Sequence, residues 1–294
     1  MSDTIARLAV VGAGTMGRGI AQVAAQAGLE VALWDLSGEA RGRARRELEA
    51  SLGAAVTRGK LSAVERDAAL ARLAFPETRG EAVRQADLVV EAVVEDLALK
   101  QRLFAELERE APARAILASN TSSLPLGKIA AGLARPGQVL GMHFFNPVPA
   151  MALVELVVHA GTDDATREAA LAVTARLGKT PIVVKDSPGF ATSRLGIVLG
   201  LEAMRMLEQG VASAEDIDRA MELGYRHPMG PLKLTDLVGL DVRLAIADFL
   251  FTELGGDQYR APELLRRKVA AGELGKKTGR GFHSWNEVAA KKSS

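Results

Sequence analysis

His143 and Glu155 stand in two short stretches, Met142-His143-Phe144-Phe145-Asn146-Pro147-Val148 and Val154-Glu155-Leu156-Val157. Histidine is the side chain whose ordinary pKa suits a general base near neutral pH. A carboxylate bonded to its other ring nitrogen fixes the tautomer and stabilises the imidazolium that forms when it takes a proton. The chain also opens with glycines spaced to hold a dinucleotide. Together these features point to a base that removes an alcohol proton while a hydride leaves the carbinol carbon.

The glycines are Gly12-Ala13-Gly14-Thr15-Met16-Gly17, a G-x-G-x-x-G run that follows a predicted strand and opens a predicted helix. Gly12 permits the tight turn, Gly14 lets backbone approach a pyrophosphate, and Gly17 allows the helix to lie close to the strand. Thr15 and Met16 occupy the first helical turn, where free amides and the helix dipole favour phosphate. Asp35 follows Gly17 by eighteen residues, at the end of the next strand. A carboxylate there accepts hydrogen bonds from adenosine ribose hydroxyls and repels the extra phosphate of NADP, so NAD is the expected cofactor. Arg41 or Arg43 would soften that repulsion.

Other polar residues fall where apolar strands stop. Glu95 follows Val93-Val94, Ser119-Asn120-Thr121-Ser122-Ser123 follows Ile116-Leu117, and His143 and Asn146 follow Val139-Leu140. In open parallel sheets ligands bind beyond the carboxyl ends of the strands, so these groups are placed to share one crevice. Structural roles compete: Glu95 as a charge before the helix at Leu97, Ser122 as a cap for the helix near Pro125. His159, His227 and His283 have no comparable setting and read as structural.

The elements that must position these groups alternate. Strands are expected at Ile5–Val11, Glu30–Trp34, Asp87–Val93, Ala115–Ser119, Gln138–Phe144, Leu153–Val158 and Thr180–Val184. Helices lie between most of them. Two of these, from Ser37 to the break at Gly59-Lys60 and from Ser62 to Leu73, read as an inserted helical hairpin. The pattern predicts an α/β, Rossmann-type, doubly wound and mainly parallel sheet over 1–185. Asp186-Ser187-Pro188-Gly189 is a turn. An all-α domain over 186–294 is expected beyond it, with helices at Phe190–Gln209, from Ser213 to Gly224, and at Leu232–Val238, Val242–Leu254 and Pro262–Ala271. The first is apolar on so many sides that it belongs in a core or a subunit interface. A glycine-rich basic loop, Gly275 to Phe282, closes the pattern.

Composition narrows the function classes. The 294 residues carry a net charge of +1, which argues against nucleic acid or a membrane surface as partner. No apolar run is long enough for a membrane span, and no charged-then-apolar leader is evident, so a cytoplasmic protein is expected. Cysteine is absent, and the four histidines have no metal-ligand spacing, so no metal site is expected.

The ordered motifs resemble the L-3-hydroxyacyl-CoA dehydrogenase family. They are the glycine run, Glu91-Ala92-Val93-Val94-Glu95, Ser119-Asn120-Thr121-Ser122-Ser123-Leu124, His143-Phe144-Phe145-Asn146-Pro147-Val148, Asp186-Ser187-Pro188-Gly189-Phe190, and Gly224 with Pro228-Met229-Gly230-Pro231. The resemblance runs from Ile5 to about Trp285 and is nearest to the bacterial 3-hydroxybutyryl-CoA branch. It implies a short-chain coenzyme A thioester substrate, with His143 as base and Glu155 holding it. It implies that Ser122 and Asn146 bond the substrate oxygen or the nicotinamide region. Glu95, Lys100 and Lys277 match cofactor-site positions, and the C-terminal helices match a homodimer interface. The Arg41–Arg46 cluster reads as a solvated helix face or, with Arg58 and Lys60, as an electrostatic patch for the coenzyme A phosphates. Ser193 departs from the family, which has a substrate-binding Asn there. The departure keeps open a dehydrogenase of a non-CoA hydroxy acid on the same fold. A non-catalytic NAD-binding protein is the third reading, opposed by the presence of both His143 and Glu155.

Overall fold

A computed structural model describes residues 5–285, which form two compact units that divide between Ser187 and Pro188. The first unit is an eight-stranded sheet of order β3-β2-β1-β4-β5-β6-β7-β8. The strands are β1 (Arg7–Val11), β2 (Glu30–Trp34), β3 (Leu73–Ala74), β4 (Leu88–Glu91), β5 (Ile116–Ser119), β6 (Val139–Phe144), β7 (Leu153–Val158) and β8 (Thr180–Lys185). All neighbouring pairs are parallel except β6 with β7. β4, β5 and β6 are buried along their whole length, as parallel strands covered on both faces must be. This is the Rossmann-type architecture that the alternation of strands and helices implied.

The helices of this unit are α1 (Thr15–Gln26), α2 (Gly38–Thr57), α3 (Ala63–Ala71), α4 (Arg79–Val83), α5 (Leu97–Glu110), α6 (Leu126–Ala130) and α7 (Asp164–Arg176). Their starts are written locally. The Ser37 hydroxyl accepts from the Ala40 amide, Ser62 and Glu65 form a reciprocal capping box, and Asp96 accepts from the Leu99 amide at 2.7 Å. The hairpin of α2 and α3 breaks at Gly59 as expected. Two elements differ from the sequence reading. The helix expected to reach Leu73 stops at Ala71, and Leu73 and Ala74 instead pair with Val31 and Ala32 as an edge strand. A short helix, α4, follows a second capping box at Thr78 and Glu81. A two-residue strand is too short to show alternation, and the ladder partner that defines it lies some forty positions away.

Strand order sets the chemistry. β1 lies in the middle, with β2 and β3 on one side and β4 to β8 on the other. The chain reverses its direction of growth between β1 and β4, and a ligand crevice forms at such a switch point. Because β1, β4, β5 and β6 run parallel, Val11, Glu91, Ser119 and Phe144 all end on that side.

The second unit is helical: α8 (Thr192–Glu208), α9 (Ala214–Arg219) continued by a π-turn over Ala220–Gly224, α10 (Pro231–Val238), α11 (Leu240–Leu254) and α12 (Glu263–Ala270). Ile197, Leu201, Met204, Leu232, Leu240, Ala247, Leu250 and Leu265 form its core. The face of α8 that bears Ile197, Leu201 and Met204 is buried, whereas Leu195 is 71% exposed. Two buried carboxylates organise the unit. Asp218 accepts from the Leu232 and Lys233 amides at 2.8 and 3.0 Å, capping α10, and bonds the His283 ring at 2.7 Å. Asp236 accepts from the Phe282 and His283 amides and the Trp285 indole at 2.8, 2.8 and 2.9 Å. A Cβ on Gly281 would fall 2.0 Å from Asp236 Oδ1, so the glycines of this loop serve close approach to α10.

The Asp218 bond raises the pKa of His283 against the opposing effect of burial, helped by the charges of Asp218, Asp236 and Glu215. A histidine whose pKa is raised on folding contributes stability that is complete below its unfolded value, about 6.5, and is lost as pH rises through the folded value. His283→Gln is therefore expected to lower the melting temperature more at pH 6 than at pH 9. Thermal unfolding of both proteins at the two pH values checks this, and an equal loss at both would refute it.

Candidate active site

The antiparallel register of β6 and β7 places His143 directly opposite Glu155. Cross-strand partners project from the same face of a sheet, so the two side chains meet. His143 Nδ1 lies 2.7 Å from Glu155 Oε2, with the histidine 7% and the glutamate 0% exposed. An ionised carboxylate only accepts, so in this bond Nδ1 carries the proton. The Phe145 ring packs against the imidazole with centroids 4.5 Å apart.

The turn between β6 and β7 carries Asn146 and is held from below. The Lys179 ammonium donates to the carbonyls of Val148 and Met151 at 2.6 and 2.8 Å. Burial lowers its pKa. Asn146 is exposed and lines a cavity of about 240 Å³ with Thr15, Arg18, Gln22 and Ser51. One residue of the glycine motif thus shares a cavity with the histidine strand's own loop.

The glycine motif has the geometry that a dinucleotide requires. A Cβ on Gly17 would sit 1.8 Å from the Gly12 carbonyl oxygen, and one on Gly12, at φ +110°, would sit 2.5 Å from that of Ala92. Neither position admits a side chain. Gly14 is open, with nothing within 4 Å of a Cβ, which leaves its backbone face for a ligand. Asp35 Oδ2 accepts from the Ala13 amide at 2.8 Å and Oδ1 from the Ser37 amide at 3.0 Å. The carboxylate thus pins the glycine turn and retains further acceptor capacity for hydroxyls. A cavity of about 520 Å³ opens beside it, lined by Gly12, Gly14, Trp34, Asp35, Val93 and Val94 among others. Leu36 and Val94, 86% and 69% exposed, stand at this cavity as apolar surface that a flat base would cover. The residues fit NAD.

Between this loop and the histidine strand lies a buried charge cluster. Glu91, at the end of β4 and 0% exposed, accepts from Lys100 Nζ at 2.6 Å, the Val93 amide at 2.7 Å and the Ser119 hydroxyl at 2.7 Å. Lys100 also lies 3.3 Å from Glu95 Oε2. Glu95 in turn accepts from the Thr121 hydroxyl at 2.5 Å, the Ser122 amide at 3.0 Å and the Ser123 hydroxyl at 3.2 Å. Burial raises the Glu95 pKa, but the Thr121 bond, the Lys100 charge and the Ser122 amide outweigh it and hold the group below the usual carboxylate range. Asn120 closes the set, its Oδ1 accepting from the Phe144 amide at 2.9 Å.

The other expected site residues fall as follows. Lys100, which the family resemblance assigns to the cofactor site, is 1% exposed and lies between Glu91 and Glu95, two carboxylates whose shared pocket needs a cation. Ser122 does not cap α6, whose first turn follows Pro125 without a side-chain cap. Glu95 binds the Thr121–Ser123 loop, and Asp96 caps α5 instead. Within the Arg41–Arg46 stretch, Arg41 donates to the Asp35 carbonyl at 2.7 Å and Arg45 stacks on Phe75. Arg58 and Lys60 are exposed beyond the end of α2. Ser193 and Lys277 belong to the second unit, where Ser193 lies in the first turn of α8 and Lys277 pairs with Asp241 at 2.6 Å. Sequence reasoning overlooked Glu91 as a site residue and Lys179 altogether. The acidic residue inside an apolar strand was the available signal for the first; the second had none.

Comparison with known proteins decides the family. Residues 7–187 match the family model described as 3-hydroxyacyl-CoA dehydrogenase, NAD binding domain, and residues 189–285 the model of the C-terminal domain. The chain belongs to the 3-hydroxyacyl-CoA dehydrogenase family. It is an NAD-dependent oxidoreductase. This dehydrogenase is 48% identical over 290 residues to a 3-hydroxybutyryl-CoA dehydrogenase of Mycobacterium tuberculosis, covering 97% of this chain and all of that one. It is 42% identical to a 3-hydroxyadipyl-CoA dehydrogenase of Escherichia coli K12, covering 97% of this chain and 60% of the relative. The crystal structure of (S)-3-hydroxybutyryl-CoA dehydrogenase from Ralstonia eutropha superimposes with a TM-score of 0.92 at 42% identity, covering 96% of this chain and 99% of that one.

The double duty of Asp35 generates a prediction. Asp35→Ala removes both the ribose acceptor and the anchor of the Ala13 amide. It is expected to raise KM for NADH roughly tenfold while narrowing the preference over NADPH. Steady-state kinetics with both cofactors checks this, and an unchanged ratio of kcat/KM values would show that the ribose is read elsewhere.

Proposed function

We propose that the dehydrogenase catalyses reversible, NAD-dependent oxidation of short-chain (S)-3-hydroxyacyl-CoA, such as 3-hydroxybutyryl-CoA, to the 3-oxoacyl-CoA. The observation that carries the mechanism is the 2.7 Å bond between His143 and Glu155. His143 Nε2 takes the proton of the 3-hydroxyl group and returns it in the reverse direction. Glu155 holds the imidazole in the tautomer protonated at Nδ1 and stabilises the imidazolium. Ser122 and Asn146 bond the reacting oxygen or the nicotinamide region, and such donors stabilise charge on the forming carbonyl. Bound NAD supplies the hydride acceptor. Asp35 accepts from the adenosine ribose, and the amides at Gly14, Thr15, Met16 and Gly17 receive the pyrophosphate. Glu95 and Lys277 stay assigned to the cofactor, and Ser193, Arg58 and Lys60 to the thioester substrate, on the family resemblance.

The names of the relatives support a four-carbon acyl group. The second unit exposes Leu195, Leu223, Tyr225 and Leu237, apolar surface suited to a homodimer interface. No helix among the described residues is long and apolar enough to cross a membrane. We place the enzyme in the cytoplasm, in keeping with its bacterial relatives.

The test is oxidation of NADH, followed by absorbance, with acetoacetyl-CoA against free acetoacetate. Turnover of the thioester alone is expected. Turnover of the free acid alone would transfer the assignment to small hydroxy acids. His143→Ala is expected to lower kcat by roughly a thousandfold while leaving NADH binding within about twofold. A parallel loss of NADH affinity would refute its assignment as the base.

A further inference from the structure

Glu91 is a buried carboxylate on the carboxyl side of the sheet with three side-chain hydrogen bonds, and the proposed mechanism gives it no role. It is 0% exposed. Both of its oxygens are engaged, and each partner belongs to a different segment. Oε1 receives the Val93 amide, in the β4–α5 loop that lines the large cavity, and the Lys100 ammonium, one turn into α5. Oε2 receives the Ser119 hydroxyl at the end of β5, and that hydroxyl accepts from the Thr121 amide at 3.2 Å. The Glu91 backbone carbonyl accepts from the Asn120 amide at 2.8 Å. Lys100, shared with Glu95, extends the same charge pair to the Thr121 hydroxyl and the Ser122 amide. Asn120 then bonds the Phe144 amide, next to His143.

We infer that Glu91, locked to Lys100, is a positioning residue for hydride transfer: it sets the spacing between the cofactor-lining loop at Ala92–Val94 and the Asn120–Ser123 loop that presents Ser122. The inference rests on the hydride-transfer reading above. It differs from a packing role in a definite way. A buried hydrophobe in this place would fill the volume but would leave the Val93 amide, the Ser119 hydroxyl and the Lys100 ammonium unsatisfied. Those three groups belong to the β4–α5 loop, the end of β5 and the first turn of α5. The charge is also balanced locally. Glu91 and Glu95 share one cation, so loss of Lys100 leaves two carboxylates facing each other, one of them without access to water.

Lys100→Met leaves Glu91 and Glu95 facing each other without their shared cation, and the Thr121–Ser123 loop is repelled. NADH affinity and kcat/KM of that variant are expected to fall roughly tenfold or more relative to wild type. Glu91→Gln keeps shape and removes charge. It is expected to lose roughly tenfold in both quantities. The double variant removes both charges and is expected to lose no more than the worse single variant, because the two residues act as one unit.

NADH binding, read by quenching of Trp34 beside the large cavity, is the readout independent of turnover. Melting temperatures of the variants separate loop displacement from general unfolding. If Lys100→Met does not fold, Glu91→Gln and the double variant carry the test. Singles within twofold of wild type, losses that multiply in the double variant, or losses that track melting alone would each overturn the inference. Absence of turnover by wild type with any coenzyme A thioester would instead refute the substrate reading, and the binding data would still judge Glu91.

Discussion

A carboxylate removed from water has to be surrounded by donors, since an ionised group left bare in a protein interior is driven to bind a proton or to unfold its surroundings. Both units of this enzyme are arranged around that constraint. Glu91, Glu155 and Asp236 are each 0–1% exposed and Asp218 is 4% exposed. The donors they recruit come from segments far apart in the chain: Asp236 draws on residues 46 to 49 positions away, and Glu91 on Ser119, 28 positions away. Each is therefore a junction where separate loops are forced to agree. The apolar sheet and helix cores supply stability without direction, whereas these junctions fix direction.

That division explains what could be read from residues alone. The strands that carry the site are short apolar runs bounded by glycine and polar residues, with β1, β4, β5 and β6 parallel and β7 antiparallel to β6. The glycine run, Asp35, and the His143–Glu155 pair were visible because each is a local signal or a known spacing. The edge strand at Leu73–Ala74 was not, because two residues show no period and their identity depends on β2. The ion pair of Lys100 with Glu91 was hidden for a different reason. A lysine four places into an amphipathic helix looks like a surface residue or a ligand contact. Only the fold reveals that an acidic residue from β4 reaches the same place. The glycine loop near the C-terminus was legible as a loop, but its purpose, to let backbone lie against Asp236, required coordinates.

The two roles of Asp35 also show why cofactor recognition and folding are hard to separate here. Its carboxylate faces a ligand cavity with one set of lone pairs and bonds the turn that forms that cavity with another. Lys179 behaves alike on the other side of the site, where one ammonium fastens two carbonyls of the turn that bears Asn146. The groups nearest the chemistry are held by single polar contacts of this kind, and the bulk of the sheet holds those contacts in turn.

The pairing of His143 with Glu155 across β6 and β7 has a consequence for how such a site can change. Side chains alternate faces along a strand, so a shift of one residue in this register would send the imidazole and the carboxylate to opposite sides of the sheet. The same shift would turn the buried row Met142, Phe144, Val154 and Leu156 away from its core. The dyad is therefore inherited with the hydrophobic pattern of two strands and does not depend on the loop that joins them. A lineage or a designer is free to lengthen, shorten or rewrite that loop to fit a different acyl group, and the proton-transfer pair survives the revision.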